Sequence, residues 1–150
     1  MKIAQTTFYA KGTGVEIGPA EKRIGERPAE GRIALRFFRM EGGAPAIRFM
    51  AEPAEGYELY LKIGRIAREG GRETLIHRFE GSDGEVQTRL TMERYGDEAR
   101  PGHALSVQRG EEKINVPMSV ERFLFAAEFL RHLAMEQAWI EELPRGATAA

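Results

Sequence analysis

The sequence predicts an α+β fold, an antiparallel meander of about seven to eight strands closed by one long C-terminal amphipathic helix. Two observations carry this. From residue 32 onward, short runs rich in β-branched and aromatic residues alternate with Gly-, Pro- and Asp-containing breaks. Only the stretch after Ser119 sustains apolar residues at helical spacing behind a capping residue.

In chain order, 3–9 (Ile-Ala-Gln-Thr-Thr-Phe-Tyr) has strand composition, Gly12-Thr13-Gly14 is a turn, and Val15–Ile17 is a short return strand. Residues 18–31 hold two Pro and three Gly without periodicity and are expected to form a long loop, functional or flexible. Strands are then predicted over Arg32–Met40, Ala46–Ala51, Tyr57–Arg68, Thr74–Phe79, Val86–Tyr95, His103–Arg109 and Lys113–Val116. Glu69-Gly-Gly-Arg72 is expected to join two of them as a hairpin. No internal repeat is visible. One domain over 1–143 and a frayed tail over 144–150 are expected.

The helix opens on Ser119, whose hydroxyl can accept from a first-turn amide, with Glu121 near the positive end of the dipole. Pro144 and Gly146 are expected to stop it after Leu143. At 100° per residue, Val120, Phe123, Ala127, Leu130, Ala134 and Ala138 share one side, and Ala126, Phe129, Leu133, Ile140, Leu124 and Met135 widen it. Phe125 and Trp139 fall opposite. One packing partner needs an apolar stripe of roughly 100°, so two partners are expected, a sheet and a second chain. Phe125, Phe129 and Trp139 are the expected contacts of a homo-oligomer, a dimer or tetramer.

Composition narrows the classes. The chain has no Cys and three scattered His, which excludes disulfides and thiolate metal sites, and no metal or other cofactor is expected. The opening Met-Lys-Ile-Ala-Gln lacks a signal-peptide core, so a cytoplasmic location is expected, and the charges in the helix argue against a membrane span. Seventeen Arg against five Lys, 21 Glu against two Asp and a single Asn are the bias of a heat-stable protein.

A net charge of −1 gives no overall basic signal, but the charges are segregated. Glu41, Glu52, Glu55, Glu69, Glu80, Asp83, Asp97, Glu98, Glu111 and Glu112 sit in predicted turns, whereas most Arg sit inside predicted strands. Residues i and i+2 share a strand face. Arg32, Arg36 and Phe38 therefore oppose Ile33, Leu35 and Phe37. Tyr60, Lys62 and Arg68 are expected to face outward from Leu59, Leu61 and Ile63, and Gln87, Arg89 and Thr91 from Val86, Leu90 and Met92. Arg48 and Arg78 oppose their apolar neighbours likewise. Cations that track phosphates beside aromatics that stack on unpaired bases suit single-stranded nucleic acid. The competing reading makes these Arg members of cross-strand ion pairs.

Other features are set aside. Gly12–Gly18 lacks the Lys-Ser/Thr of a phosphate loop, His77, His103 and His132 lie on different elements, and Ser106 and Ser119 have no nucleophile context. No enzyme is expected.

The segments Val86–Tyr95, His103–Arg109, Lys113–Val116, Pro117-Met-Ser119 and Val120–Leu133 resemble the end of the Whirly and positive-cofactor-four folds, with Pur-alpha as more distant kin. The match is a pattern over residues 57–140, and the Lys-Gly-Lys-Ala-Ala-Leu signature of plant Whirly proteins is absent. The composition also fits atypical single-stranded DNA-binding proteins of heat-loving archaea. The resemblance implies single-stranded DNA binding on the sheet and oligomerisation through helices. The expected function is thus non-enzymatic, largely sequence-independent binding of single-stranded DNA, or RNA, by an oligomer, with no membrane partner. The alternatives are a protein-assembly module without nucleic-acid affinity and a small-molecule-binding β domain.

Overall fold

A computed structural model describes residues 1–144. Eight strands form two four-stranded antiparallel sheets, each a simple meander. Sheet A comprises β1 (Thr6–Tyr9), β2 (Thr13–Lys22), β3 (Glu30–Arg39) and β4 (Ile47–Ala51). Helix α1 (Pro53–Glu69) follows. Sheet B comprises β5 (Gly71–Gly81), β6 (Gly84–Gly96), β7 (Pro101–Arg109) and β8 (Glu112–Met118), and α2 (Val120–Glu136) closes the chain. The α+β class and the strand number agree with the sequence. The expected frayed tail lies, apart from Pro144, outside the described residues.

The expected strand at Tyr57–Arg68 is instead α1, which corrects the one-helix picture and reveals a strand-strand-strand-strand-helix unit used twice. Its start is written locally. Glu52 and Glu55 form a capping box around Pro53 at the first helical positions, where a missing N–H costs nothing. Gly70, at φ 81°, ends it as the C-cap. Gly56, Leu59, Ile63 and Ile66 are the buried stripe, whereas Leu61, needed inside by a strand, is 54% exposed.

The expected loop over 18–31 shrinks, because β2 runs on through Gly18-Pro19-Ala20 to Lys22. Strand β1 reaches only to Thr6 opposite Ile17, so β2 beyond that point is paired on the β3 side alone. Pro19 therefore sits where sheet edges tolerate it.

Helix α2 begins as expected, with the Ser119 hydroxyl accepting from the Arg122 amide at 3.3 Å. It stops at Glu136, seven residues before the predicted end at Leu143, because the following backbone is held elsewhere. The Gly31 amide donates to the Trp139 carbonyl at 3.0 Å, and the Glu141 amide to the Ala29 carbonyl at 2.8 Å. The buried Gln137 amide donates to the carbonyls of Ala20 and Arg32, at 2.8 and 2.9 Å. Tertiary hydrogen bonds thus override helix propensity. Trp139 lies in an extended segment along β3, and its indole donates to the Gln137 side chain at 3.3 Å.

One core joins both sheets and both helices. Phe37, Phe49 and Ile33 from sheet A, Leu90, Met92 and Leu105 from sheet B, and Leu59, Ile63, Phe123 and Leu130 from the helices are all fully buried. The helices pack on each other at Gly56, where an added Cβ would lie 3.6 Å from both the Leu130 carbonyl and the Ala134 methyl. The second partner that α2 required is therefore supplied largely by α1. Side chains also tie the sheets together at their edges. Thr13 donates to the Asn115 carbonyl at 2.8 Å, Arg109 to the Arg48 carbonyl at 3.0 Å, and Arg39 to the Lys113 carbonyl.

Candidate nucleic-acid interface

Because both sheets turn their apolar faces to one core, their polar faces point away from it on separate surfaces. Arg32, Arg36, Phe38 and Arg48 share the outer face of sheet A. Arg78 and Arg89 share the outer face of sheet B. Tyr60, Lys62 and Arg68 belong to neither. They lie on α1, and the alternation that placed them on a sheet came from reading a 3.6-residue period as a period of two. Lys62 pairs with Glu58 at 2.9 Å, one helical turn back, and Tyr60 packs against the core with the Arg131 guanidinium 5.7 Å from its ring.

The outer face of sheet A is organised by register. Arg36 stands opposite Glu16 on one side and Arg48 on the other. The Glu16 contact is long, 3.9 Å, and Arg48 has no ion-pair partner among the described residues. Two like charges thus face each other across a ladder, an arrangement that destabilises a sheet. Both arginines line a shallow trough of about 240 Å³, together with Gln5, Glu16, Gly18 and Ala34.

Beside the arginines, Phe38 pairs with Gly14 across the ladder and covers it so closely that a Cβ there would meet the ring at 2.4 Å. Gly14 thereby lets the ring lie against the backbone. Tyr9 meets Phe38 edge-on at 6.1 Å, and the Arg36 guanidinium lies 5.3 Å from the Phe38 centroid. Tyr9 is 59% exposed, and no local sequence pattern marks it as part of this face. Only the β1–β2–β3 register brings it beside Phe38. Sheet B repeats the device, with Tyr95 over Gly102, where a Cβ would meet the ring at 2.3 Å. Arg89, also without an ion-pair partner among the described residues, is on this face. The competing reading holds in part. Arg32 approaches Glu30 at 3.4 Å and Arg78 approaches Glu85 at 3.5 Å, both weak exposed contacts.

A larger cleft, about 780 Å³, opens where β4, α1 and β5 meet. The His77 Nε2 lies 2.7 Å from the Glu55 carboxylate, and the imidazole stacks on buried Phe49 at 4.2 Å and 17°. His103 is buried against Phe123, and its Nε2 has no partner among the described residues. Burial, then the Arg94 charge, lowers its pKa from 6.5, against an opposing pull from Glu121. Among the described residues, no three His, Asp or Glu gather as metal ligands, and no helix is long and apolar enough to cross a membrane.

Of the expected interface residues, Phe125 is half exposed and edges onto Phe8 at 6.1 Å, while Phe129 packs partly into the core. Trp139, being off the helix, does not extend that surface. The exposed apolar residues that line the groove between the helices are Leu61 and Leu124.

No protein-family model and no curated protein matches the chain. Solved structures do. The crystal structure of WHY1 from Arabidopsis thaliana aligns with a TM-score of 0.60 at 17% identity, over 92% of this chain and 86% of that one. The plant transcriptional regulator PBF-2 aligns with a TM-score of 0.54 at 17% identity, over 91% and 92%. The protein has a Whirly-like fold, as the sequence resemblance implied.

Proposed function

We propose that the protein is a non-enzymatic binder of single-stranded nucleic acid, DNA in preference to RNA, with little sequence preference. The observation that carries this reading is the Arg36–Arg48 pair beside Phe38 and Tyr9 on sheet A. A ladder that sets two guanidinium groups opposite each other is relieved by an anion between them. An aromatic surface at the same place accepts the π-face of an unpaired base. Phosphate and base-face contacts carry no sequence information, which supports the lack of preference. The Whirly-like fold supports the reading in that one of the similar structures is a plant transcriptional regulator.

The functional unit is a homo-oligomer, supported by the exposed apolar side chains of both helices, among them Leu61, Leu124, Phe125 and Met135. Those same side chains favour the second reading, a protein-assembly module in which the arginines only stabilise the sheets. Titration of labelled oligo-dT at two salt concentrations, with duplex DNA and RNA as competitors, separates the two. Neutralised phosphates release counterions, so binding should weaken steeply with salt. A defined oligomer with no affinity for oligo-dT refutes nucleic-acid binding and leaves assembly.

A further inference from the structure

The cleft at the β4–α1–β5 junction contains a fixed aromatic surface that the sheet-face site does not use. One face of the His77 ring lies on Phe49, which is 1% exposed. Its Nε2 edge is held by Glu55, whose other oxygen accepts from the Glu52 amide at 2.9 Å. The first turn of α1 therefore sets the ring's orientation, and the His77 side chain, 30% exposed, lines the cleft. Four cations, Lys22, Arg23, Arg32 and Arg78, line the cleft together with three carboxylates, Glu21, Glu52 and Glu55, of which Glu55 is engaged by His77 and Arg23 is paired with Glu141. Lys22 and Arg32 come from the outer face of sheet A and Arg78 from β5. The Arg32 guanidinium is tethered to the Gly31 carbonyl at 2.9 Å. A volume of about 780 Å³ suits a ligand of nucleotide size. The cleft also continues the sheet-face site. Arg36 and Arg32 share one face of β3, roughly 14 Å apart at about 3.4 Å per residue.

We propose that this cleft takes one splayed-out nucleotide of the bound strand, its base stacked on the face of His77 opposite Phe49 and its phosphate held by Arg32 and Lys22. The proposal rests on the nucleic-acid reading above. A phosphate ester with a base could equally arrive as a free nucleotide, and the experiment separates the two sources.

Isotope-labelled protein is titrated with oligo-dT and, separately, with dTMP, following the His77 ring protons, while anisotropy gives affinities for wild type, His77→Phe and His77→Leu. Phe keeps a stacking face without the Glu55 bond, and Leu keeps bulk over Phe49 without a π-face. Oligo-dT should move the His77 ring protons upfield. His77→Phe should bind within about twofold of wild type, and His77→Leu roughly 5- to 150-fold more weakly, the range for one lost base stack. Should His77→Leu fail to fold, the wild-type proton shifts alone decide. Oligo-dT binding that leaves the His77 protons unmoved, or equal binding by His77→Leu, overturns the cleft proposal while leaving the sheet-face reading intact. Failure of any oligonucleotide to bind overturns both. dTMP that binds more tightly than oligo-dT and moves the same protons overturns the assignment to a strand.

Discussion

Arg48→Ala separates a ligand-binding arginine from a structural one, because the two roles predict opposite signs. Arg48 has no ion-pair partner among the described residues and faces Arg36 across the β3–β4 ladder. Its contact with Arg109 runs through its backbone carbonyl, which the substitution leaves in place. Removing one of two opposed like charges should leave stability unchanged or raise it by up to about 1 kcal/mol. Binding should move the other way. A charged hydrogen bond to phosphate is worth about 1.5–3 kcal/mol, so affinity for oligo-dT should fall roughly 10- to 150-fold. One lost phosphate contact should also reduce the slope of log K against log salt by about 0.7. Anisotropy titrations between about 50 and 200 mM salt, with urea unfolding on the same samples, give all three quantities. A lower unfolding midpoint with unchanged affinity and salt slope would refute the reasoning and make Arg48 a structural residue.

Three further substitutions probe the scaffold. Gly56→Val places two methyl groups in the α1–α2 crossing, where even a Cβ lies 2.4 Å from the buried Ile33 Cδ1. It should cost about 3 kcal/mol by overpacking, read as a lower urea midpoint at unchanged m-value. Gln137→Ala removes the donor that serves the Ala20 and Arg32 carbonyls. A loss of about 2–3 kcal/mol is expected, with a red shift of Trp139, the only tryptophan, as the segment along β3 loosens. His103 titrates below its ordinary 6.5 in the folded protein. The unfolded chain therefore takes up the proton first. This contribution is complete above about pH 6.5 and is lost as pH falls from there to the folded pKa, by at most about 1.4 kcal/mol per pH unit. His103→Leu should flatten that part of the stability profile, and an unchanged profile would remove His103 as its cause.

Strand faces were legible where alternation is strict. Ile33, Leu35 and Phe37 are buried while Arg36 is exposed, and Leu90 and Met92 are buried while Arg89 is exposed. Ser119 likewise announced α2 through its cap. The α1 error arose because Leu59, Leu61 and Ile63 satisfy a period of two over a few residues. The stronger signal was Glu52-Pro53-Ala54-Glu55 with Gly70, a capping box and a stop. What no local pattern contained is pairing at a distance. Tyr9 reaches Phe38 only through two ladders, and the Gln137 bonds that end α2 span more than a hundred residues. Glu16, which pairs weakly with Arg36, lay in a segment read as a short return strand, so its place opposite an arginine was not visible.

Helix α1 also changes which surface is left for assembly. An apolar circumference too broad for a sheet pointed to a second chain as the other partner of α2, with Phe125 and Trp139 as its contacts. Most of that circumference is buried against α1 and the sheets, Phe125 shares its ring edge with Phe8, and Trp139 is off the helix. The apolar surface left over includes Leu61 on α1 and Leu124 on α2, both beside a groove of about 310 Å³ between the helices. A second copy docking there would bury side chains from both helices while leaving the outer face of sheet A uncovered. Assembly and nucleic-acid binding then use different surfaces. Leu61→Glu with Leu124→Glu should therefore lower the oligomeric state in sedimentation without removing the oligo-dT affinity of the individual chain. Parallel loss of both would mean that the strand is bound between protomers.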